Sequence, residues 1–496
     1  MTCPPDASPV RLCSRPDLLR IIRHLDGMRV TLMGLGLFGG GEGAARFLVG
    51  REAFLTVTDM KPADKLAPSL EHLRGLPITY RLGGHVAEDF THAGLVVANP
   101  AVPRTNPYLQ AAQQAGVPIT SPMNIFLTLC PASVAAVTGS NGKSTTTALL
   151  AAMLGSAGRA VSMGGNIGIS LLPSVDRITP ADVVVLELSS FQLEDAAALS
   201  WSPHVAVVTN ITPNHLDRHG TVEAYAEAKR TIVRFQGPRD FAVLNARTQI
   251  LQQWAEEGVG ARLLFFHSAP ERARACPGVG LARDRIVWHE GTGEEVICRR
   301  DEVPLLGLHN VENVMAAAAA ARCLGASSGQ IRDAVSSFTG LEHRLEFVGE
   351  SEGVRYYNDS YSTTPAAGMA AVNSFDGPLT LIAGGYDKKL DLTPFARAVA
   401  GRVSVLVTLG NTGPLLAAKA RQEGQLVGRS LVVKEAATLE DAVLAAHGLS
   451  ARGSAVVFSP GCASYDMFEN YRHRGQAFKE LVRTALARPE RMSRGA

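Results

Sequence analysis

The sequence contains few cysteines, little net charge and no long apolar run. Seven of the 496 residues are cysteine, and no two form a C-x-x-C pair, so we expect reduced thiols rather than a disulfide framework or a zinc site. The formal net charge is +2, so no overall field attracts nucleic acid or an anionic membrane. No run approaches the ~18–20 apolar residues of a transmembrane helix, and the first residues lack the basic and apolar stretches of a signal peptide. These absences predict a cytoplasmic protein that neither binds nucleic acid nor inserts into a membrane.

The residues that are present give an ordinary globular composition. Hydrophobic residues make up 46% and charged residues 19% of the chain, which is the usual balance for a protein that buries large cores. At the common ~100–200 residues per domain, the length predicts two to four domains.

A glycine-rich loop at residues 139–142 follows an apolar run and precedes a helical pattern. Backbone N–H groups at such a helix start can bind a polyphosphate. Lys143 is expected to reach the outer phosphates, and Ser144 or Thr145 to ligate Mg²⁺. The spacing here is G-x-x-G-K-S-T, shorter than the usual G-x-x-x-x-G-K-[ST]. The sequence therefore predicts nucleoside triphosphate binding.

A strand, a glycine loop, a helix and a second strand occupy residues 29–59. Gly34, Gly36, Gly39 and the terminal acid Asp59 match a dinucleotide-binding βαβ unit only loosely. A Rossmann-like domain for a nucleotide-linked substrate and an NAD site both fit, which leaves an oxidoreductase as an alternative. We expect this domain to cover residues 1–130, with residues 1–28 as a leader of no assigned function.

The remaining chain alternates apolar strands with helical segments, which predicts parallel sheets covered by helices. A central domain is expected over residues 131–340, with a less regular β excursion at 246–303. A third doubly wound domain is expected over 341–496. The predicted fold class is α/β with three domains: a Rossmann-like N-terminal domain, a central P-loop ATPase domain with a parallel sheet, and a Rossmann-like C-terminal domain.

Polar clusters follow several predicted strands, where open α/β sheets place their ligands. Glu187 ends a strand near the glycine loop and is a natural Mg²⁺ ligand, although a helix-capping acid is the alternative. His215 could ligate a metal or contact phosphate, although a lone loop histidine is often incidental. Lys229 lies on a predicted helix, where a lysine is normally solvated, so its residue type alone assigns it no function. Asn166 is the one side-chain amide of the flexible loop at 164–168.

The chain carries a series of motifs in a fixed order: the glycine loop, Gly-Gly-Asn-Ile-Gly at 164–168, Glu-Leu-Ser-Ser-Phe-Gln-Leu-Glu at 187–194, and the segments 210–219, 307–313, 343–344, 358–360, 384–388 and 459–464. Taken together and in order, these motifs resemble those of the Mur ligase family. The resemblance covers residues 29–485. The strings at 187–194 and 459–464 are similar to those of the branch that adds glutamate. It implies ATP-dependent ligation of glutamate to UDP-N-acetylmuramoyl-L-alanine through an acyl phosphate, in peptidoglycan precursor synthesis, and we expect a monomer.

The resemblance also implies roles for single residues. ATP would be held by Gly139, Ser140, Asn141, Gly142, Lys143, Ser144, Thr145, Asn310, Asn313, Arg344 and Asp359. One Mg²⁺ would bind Glu187 with Ser144 or Thr145, and a second metal would bind His215 and a carbamylated Lys229. The catalytic set would be Lys143, Glu187, His215 and Lys229. The UDP-substrate would contact Gly34, Gly36, Phe38, Gly39, Asp59 and Asn166. Glutamate would contact Lys388, Ser464, Tyr465 and Tyr471.

Tyr361 departs from the family pattern. The family commonly has a glutamate-contacting lysine after Asn-Asp-Ser, and the Thr363-Thr364-Pro365 that follows here resembles a branch whose members add L-glutamate. We predict D-glutamate, with L-glutamate as the alternative. A folylpolyglutamate-type ligase is disfavoured by the strings at 164–168 and 459–464. A non-catalytic nucleotide-binding scaffold is disfavoured by the full set of phosphate and metal groups.

Overall fold

The computed structural model describes residues 9–37, 39–267, 277–291 and 293–487. Within these ranges the strands form three sheets of five, nine and six strands. The chain divides into two compact units. The first comprises Met1–Val303 and Val311–Ser337, and the second comprises Pro304–Asn310 and Phe338–Ala496. The domain boundaries predicted at residues 130 and 340 stay predictions.

The first sheet belongs to the N-terminal part of the first unit. Apolar runs such as Val30–Met33 are buried on both faces, as expected of parallel strands covered by helices. Its elements are α1 (Arg15–Ile22), β1 (Arg29–Met33), α2 (Gly40–Gly50), β2 (Phe54–Asp59), α3 (Ala67–His72), β3 (Ile78–Leu82), α4 (Ala87–Thr91), β4 (Leu95–Ala98), α5 (Pro107–Gln114), β5 (Ile119–Thr120) and α6 (Pro122–Leu129).

The strand order is β3-β2-β1-β4-β5 and every pair is parallel. The order reverses between β1 and β4, and such a reversal opens a crevice at the carboxyl ends of the strands. The glycine loop after β1 lies at this point. The Rossmann-like N-terminal fold is therefore confirmed, and α1 shows that part of the predicted leader is a packed helix.

The second sheet forms the central part of the first unit. Its elements are β6 (Ser133–Thr138), α7 (Lys143–Ser156), β7 (Val161–Gly165), β8 (Val183–Glu187), α8 (Ser190–Ala196), β9 (Val205–Val208), α9 (Leu216–His219), α10 (Val222–Arg234), β10 (Phe241–Asn245), α11 (Gln249–Glu256), β11 (Arg262–His267), β12 (Gly278–Ala282), β13 (Arg285–Glu290), β14 (Gly293–Arg299), α12 (Leu308–Cys323) and α13 (Ser328–Ser337).

The strand order is β14-β13-β12-β11-β10-β9-β6-β8-β7. The strands from β6 to β12 run parallel, and β13 and β14 add two antiparallel strands at one edge. The predicted β excursion at 246–303 therefore extends the central sheet. Since β8 and β9 flank β6, the residues after these three strands gather at one edge of the sheet, where the candidate site lies.

The third sheet belongs to the second unit and has the order β15-β16-β20-β17-β18-β19. Only its edge pair β15–β16 is antiparallel, so the predicted doubly wound pattern is confirmed. Its elements are β15 (Glu346–Ser351), β16 (Val354–Asn358), α14 (Pro365–Val372), β17 (Leu379–Ala383), α15 (Thr393–Arg402), β18 (Val405–Thr408), α16 (Gly413–Leu426), β19 (Val432–Glu435), α17 (Leu439–Leu449), β20 (Ala455–Phe458) and α18 (Tyr471–Ala487).

Two absences apply to the part of the chain that the structure describes. None of its helices combines the length and apolar character needed to cross a membrane. Its cysteines are all free thiols, namely Cys13, Cys130, Cys298, Cys323 and Cys462.

Candidate active site

The glycine loop after β1 is shaped by the carboxylate of Asp59. One oxygen, Oδ2, accepts hydrogen bonds from the N–H groups of Leu35 (2.9 Å) and Gly36 (3.2 Å). The other oxygen accepts the N–H of Lys61 at 2.9 Å. Gly34, Gly36 and Gly39 all have left-handed φ angles, which glycine adopts without strain. Asp59 thus holds the loop in place, and its contact with a UDP-substrate stays a prediction. Phe38 lies outside the described residues.

The loop between β6 and α7 is packed so closely that two of its positions require glycine. A Cβ on Gly139 would lie 2.0 Å from Thr209 Oγ1, and one on Gly142 would lie 2.2 Å from Asn313 Oδ1. Both glycines also have positive φ, +145° and +82°. Asn313 additionally accepts a hydrogen bond from Thr146 Oγ1 at 3.3 Å. The fold therefore brings Asn313, predicted from a motif far along the chain, to the back of the loop.

Asn210, which sequence reasoning did not single out, holds the same loop from the neighbouring strand. Its carbonyl oxygen accepts the N–H of Ser140 and its side-chain oxygen accepts the N–H of Asn141, both at 2.9 Å. The Ser140 hydroxyl donates to the carbonyl of Thr212 and accepts its N–H, both at 2.9 Å. The signal was available, because Asn210 opens the motif at 210–219.

Lys143 begins α7 directly behind Gly142, which has no side chain to cap the helix. Its ammonium donates to the carbonyls of Gly139 (3.1 Å) and Ser140 (3.0 Å), so the charge lies over the loop. A helix start and a lysine at this position form an anion-binding arrangement.

Glu187 is the buried acid of the site, with 1% of its surface exposed at the carboxyl end of β8. The Ser144 hydroxyl donates to its Oε2 at 2.5 Å, and the Asn166 amide donates to its Oε1 at 2.7 Å. A Cβ on Gly165 would lie 2.3 Å from the Glu187 carbonyl oxygen, so the loop 164–168 is held against the strand end. Thr145 is buried in α7. Ser144 and Thr145 were the two hydroxyls predicted to share a metal with Glu187. The structure shows the Ser144 hydroxyl bonded to the Glu187 carboxylate.

Lys229 is buried on α10 with 1% of its surface exposed. Its ammonium nitrogen donates to Thr138 Oγ1 at 3.1 Å and lies 4.7 Å from the ring centroid of Tyr225. Burial lowers the pKa of Lys229 well below its usual value; the nearby Lys143 lowers it further, and Glu187 raises it. Burial therefore shifts the titration of Lys229 toward the uncharged amine, an effect that the sequence does not reveal.

His215 lies on the exposed turn before α9, with a φ of +52°. Its ring centroid lies 5.2 Å from that of Phe191 and 6.3 Å from that of Tyr225, the ring that also contacts Lys229. The Arg218 guanidinium lies 4.4 Å from the Phe191 centroid and donates to the carbonyl of Ala101 at 2.9 Å. Aromatic contacts therefore bring the turn of His215 and the helix of Lys229 together. Both lie beside the loop between β6 and α7, since the Tyr225 hydroxyl is 3.2 Å from Ser140 Oγ.

The second unit holds the other predicted nucleotide contacts. Asp359 is 6% exposed and accepts hydrogen bonds from the hydroxyls of Ser362 (2.5 Å) and Ser459 (2.7 Å). Burial raises the pKa of Asp359 to about 6, although these hydrogen bonds lower it. The Arg344 guanidinium lies 3.5 Å from the ring centroid of Tyr361. The tyrosine that replaces the family's lysine thus packs on a predicted ATP contact.

The predicted glutamate contacts lie after the strands of the third sheet. Ser464 is buried, Lys388 and Tyr465 are exposed, and the ring of Tyr471 lies 4.9 Å from that of Tyr361. Asn310, also in this unit, donates to the Leu306 carbonyl at 2.8 Å. The roles of these residues stay predictions, as do all the single-residue roles.

A group of three side chains with metal-ligand chemistry lies elsewhere in the second unit. It consists of Glu342, His343 and Glu346. The Lys479 ammonium lies 2.7 Å from both carboxylates. A cation already bridges this group, so it is an ion-pair cluster rather than a metal site.

Three family models match the chain in sequence order. They are the Mur ligase MurD-like N-terminal domain at residues 28–121, the Mur ligase middle domain at 137–321 and the Mur ligase, glutamate ligase domain at 343–462. The three matches lie on the three sheets.

Relatives and solved structures agree with these matches. The UDP-N-acetylmuramoylalanine–D-glutamate ligase of Roseiflexus sp. (strain RS-1) is 46% identical, covering 92% of this chain and 99% of the relative. The enzyme of the same name from Symbiobacterium thermophilum is 40% identical, covering 92% and 97%. The fold is similar to that of UDP-N-acetylmuramate-alanine ligase MurC from Thermotoga maritima, with a TM-score of 0.59, 19% identity and coverage of 92% and 100%. From identity at this level over almost the whole length, we conclude that the chain belongs to the Mur ligase family.

Proposed function

We propose that this protein joins D-glutamate to UDP-N-acetylmuramoyl-L-alanine with hydrolysis of ATP to ADP and phosphate, in peptidoglycan precursor synthesis. The observation that carries the proposal is the phosphate-binding loop placed beside a buried carboxylate, Glu187, and a buried lysine, Lys229. We propose that it works in the cytoplasm as a monomer.

The relatives' names support D-glutamate. Those from Roseiflexus and Symbiobacterium are both named as D-glutamate ligases, so L-glutamate is not favoured despite Tyr361. Membership of a ligase family likewise argues against the oxidoreductase alternative, and the carboxylate of Asp59, the terminal acid of that βαβ unit, is engaged by loop amides.

In the first step the γ-phosphoryl group of ATP passes to the alanyl carboxylate. A carboxylate is a poor electrophile, and the acyl phosphate that forms carries a good leaving group. Lys143 and the amides at the start of α7 would bind the phosphates and offset their charge, so catalysis is mainly positioning and electrostatic stabilisation. Asn313 and Asn210 would keep the loop in its phosphate-binding shape. Asn310, Arg344 and Asp359 are proposed to complete the nucleotide contacts.

The residues around Glu187 fit a magnesium ion. Mg²⁺ binds one or two carboxylates with phosphate oxygens and water, and a buried carboxylate beside the Ser144 hydroxyl offers such hard oxygen ligands. When bound, the ion would neutralise phosphate charge and polarise the phosphoryl group.

A second metal would need Lys229 to change its charge. An ammonium group repels a metal, whereas a carbamate formed by the neutral amine and CO₂ is an anionic oxygen ligand. Burial and Lys143 lower the pKa of Lys229, which supports the neutral amine that carbamylation requires. His215 is proposed to bind the same second metal as the carbamate.

In the second step the glutamate amine attacks the acyl phosphate carbon, a tetrahedral intermediate forms, and phosphate leaves. Lys388 would form an ion pair with one carboxylate of the incoming glutamate, and the hydroxyl of Ser464 would orient that glutamate. Tyr465 and Tyr471 are proposed to border the same pocket.

The test is phosphate release from ATP in the presence of UDP-N-acetylmuramoyl-L-alanine and either D- or L-glutamate. We expect release to require all three substrates and to be at least about tenfold faster with D-glutamate. A product mass equal to the sum of both substrates minus water identifies the amide. Release with neither isomer would refute the ligase, and faster release with L-glutamate would refute the stereochemical assignment.

A matched pair of variants links this activity to the loop. Lys143→Ala should lower the rate of phosphate release by about 10²-fold or more, the size expected when one charge-stabilising group is lost. Lys65→Ala removes an exposed lysine of the same unit and should leave the rate unchanged.

A further inference from the structure

Arg474 is a buried cation in the first turn of α18. Only 2% of its surface is exposed. Its Nε donates to Ser360 Oγ at 3.0 Å and its Nη2 to the Ser360 carbonyl at 2.9 Å. Its Nη1 donates to the carbonyls of Cys462 and Ala463, both at 3.0 Å. Four hydrogen bonds therefore spread the fork of the guanidinium over two separate loops.

All these acceptors are neutral, which is unusual for a buried arginine. A buried charge is costly unless it is paired or well hydrogen-bonded. Burial lowers the pKa of Arg474 to about 10, opposed by the nearby acidic groups of Cys462, Asp466 and Asp359. A hydrophobic side chain could fill the same space without this cost. The charge and the fork geometry therefore call for a function other than filling the core.

The loops that Arg474 joins follow three neighbouring strands of the third sheet. Ser360 follows β16, and Cys462 and Ala463 follow β20. The Ala463 carbonyl also accepts the N–H of Tyr386, after β17, at 2.9 Å. A Cβ on Gly385 would lie 2.3 Å from that carbonyl oxygen and 3.2 Å from the Arg474 guanidinium. One guanidinium thus hydrogen-bonds two of these loops, and the third loop is bonded to the same Ala463 carbonyl.

The residues next to these anchor points are those proposed to meet glutamate. Lys388 lies two residues after Tyr386 and Ser464 follows Ala463, while Tyr361, which stands where the family has a glutamate-contacting lysine, follows Ser360. The Ser360 hydroxyl also donates to the carbonyl of Tyr471 at 2.8 Å. Loss of the guanidinium would therefore displace all of these neighbouring residues together.

We propose that Arg474 is a positioning residue for the incoming amino acid: it fixes the three loops that form the glutamate pocket and places a fixed positive charge beneath it. The assignment rests on the proposed function. Glutamate enters as an anion with two carboxylates, and a buried cation attracts it without forming a direct ion pair. Arginine suits this role better than lysine, because its planar fork can hold several carbonyls in one geometry.

The test compares Arg474→Lys and Arg474→Gln with Arg483→Gln, which removes an exposed arginine of the same helix. The KM values for D-glutamate, ATP and UDP-N-acetylmuramoyl-L-alanine are measured for each. We expect the KM for D-glutamate to rise at least about tenfold in Arg474→Gln and less in Arg474→Lys, which keeps the charge. The other two KM values should change less than about threefold, and Arg483→Gln should match the unmodified enzyme.

A second readout separates positioning from a general structural role. Hydroxylamine can replace glutamate as the nucleophile and convert the acyl phosphate into a hydroxamate and phosphate. We expect hydroxamate formation to persist in both Arg474 variants, because it does not use the glutamate pocket.

Three results would overturn the inference. They are an unchanged KM for D-glutamate, an equal rise in all three KM values, and loss of a cooperative thermal transition in both Arg474 variants. Absence of turnover by the unmodified enzyme would instead refute the proposed function.

Discussion

The ammonium of Lys229 lies 3.1 Å from the hydroxyl of Thr138, the last residue of the strand that leads into the glycine loop. The Thr138 hydroxyl in turn donates to the Leu188 carbonyl at 2.7 Å, one residue after Glu187. Hydrogen bonds thus link Lys229 on α10 to the end of β6, and the end of β6 to the residue that follows β8.

Removal of Lys229 should abolish most of the activity without unfolding the protein. We expect Lys229→Ala to lower the rate of phosphate release by about 10²-fold or more, because the proposed carbamate ligand could not form. A short carboxylic acid such as acetate should restore part of the rate by entering the vacated space. Rates are measured with and without acetate, and full activity of Lys229→Ala would contradict the assignment. Arg230→Ala, the next residue on the same helix, is the control and should keep its rate.

Substitution of Gly142 should destabilise the loop through a specific clash. Gly142→Ala places a Cβ 2.2 Å from Asn313 Oδ1 at a φ of +82°, and we expect a loss of about 2–4 kcal/mol in the free energy of unfolding. The double variant with Asn313→Ala should lose less than Gly142→Ala alone, because the clash is gone although the strained φ remains. Urea titration measures each difference.

Gly155→Ala is the matched control on α7. No atom lies within 4 Å of the added Cβ, so the variant should be more stable than the unmodified protein by about 0.5–1 kcal/mol. An equal loss in Gly155→Ala and Gly142→Ala would contradict the role of the clash.

The raised pKa of Asp359 predicts a pH-dependent stability. Burial raises this pKa to about 6, so the native state binds the proton of Asp359 more tightly than the unfolded state does. The resulting stability is present below the unfolded pKa of about 3.9 and is lost as the pH rises to about 6. Asp359→Asn stays neutral, so its stability relative to the unmodified protein should grow by about 1 kcal/mol between about pH 5 and about pH 7.5. Urea titrations across this range measure the difference, with exposed Asp376→Asn as the control, and a constant difference would contradict the prediction.

The ion pair between Arg104 and Asp195 should respond differently to single and double substitution. Both side chains are buried, 10% and 3% exposed, and burial raises the pKa of Asp195 while Arg104 lowers it. Asp195→Asn leaves a buried guanidinium without its carboxylate and should cost about 3–5 kcal/mol of unfolding free energy. The double variant Arg104→Met/Asp195→Leu should recover most of this loss.

An exposed ion pair gives the comparison for that experiment. Asp176→Asn breaks the pair of Asp176 with Arg51, in which the carboxylate side chain is 71% exposed, and should cost less than about 1 kcal/mol. Thermal or urea unfolding that shows equal losses for Asp176→Asn and Asp195→Asn would contradict the importance of burial.

Several features of the site could be predicted because they lie in one stretch of sequence. The strand, glycine loop and helix around Lys143 are contiguous, and an acid at the end of an apolar strand, such as Glu187, can be predicted from the local pattern of residues. The choice between Ser144 and Thr145 could not be made, because it depends on which hydroxyl of α7 faces β8.

Other features depend on contacts between distant segments. Asn313 is 171 positions from Gly142 by their residue numbers, and Arg474 reaches a serine 114 residues earlier in the chain. A local motif marks Asn313 but not its contact with Gly142, and no local pattern marks Arg474, because both contacts are made by the packing of whole sheets and helices.

The order of strands and helices, the glycine loop after β6 and the family could all be predicted from the sequence, because periodicity, turn chemistry and motif spacing are local properties. Three features could be read only from the folded structure: the lowered pKa of Lys229, the hold of Asp59 on its own loop, and the hydrogen bonds of Arg474 to two separate loops. Each of these follows from burial and from neighbours contributed by other segments, and both depend on how the whole chain packs.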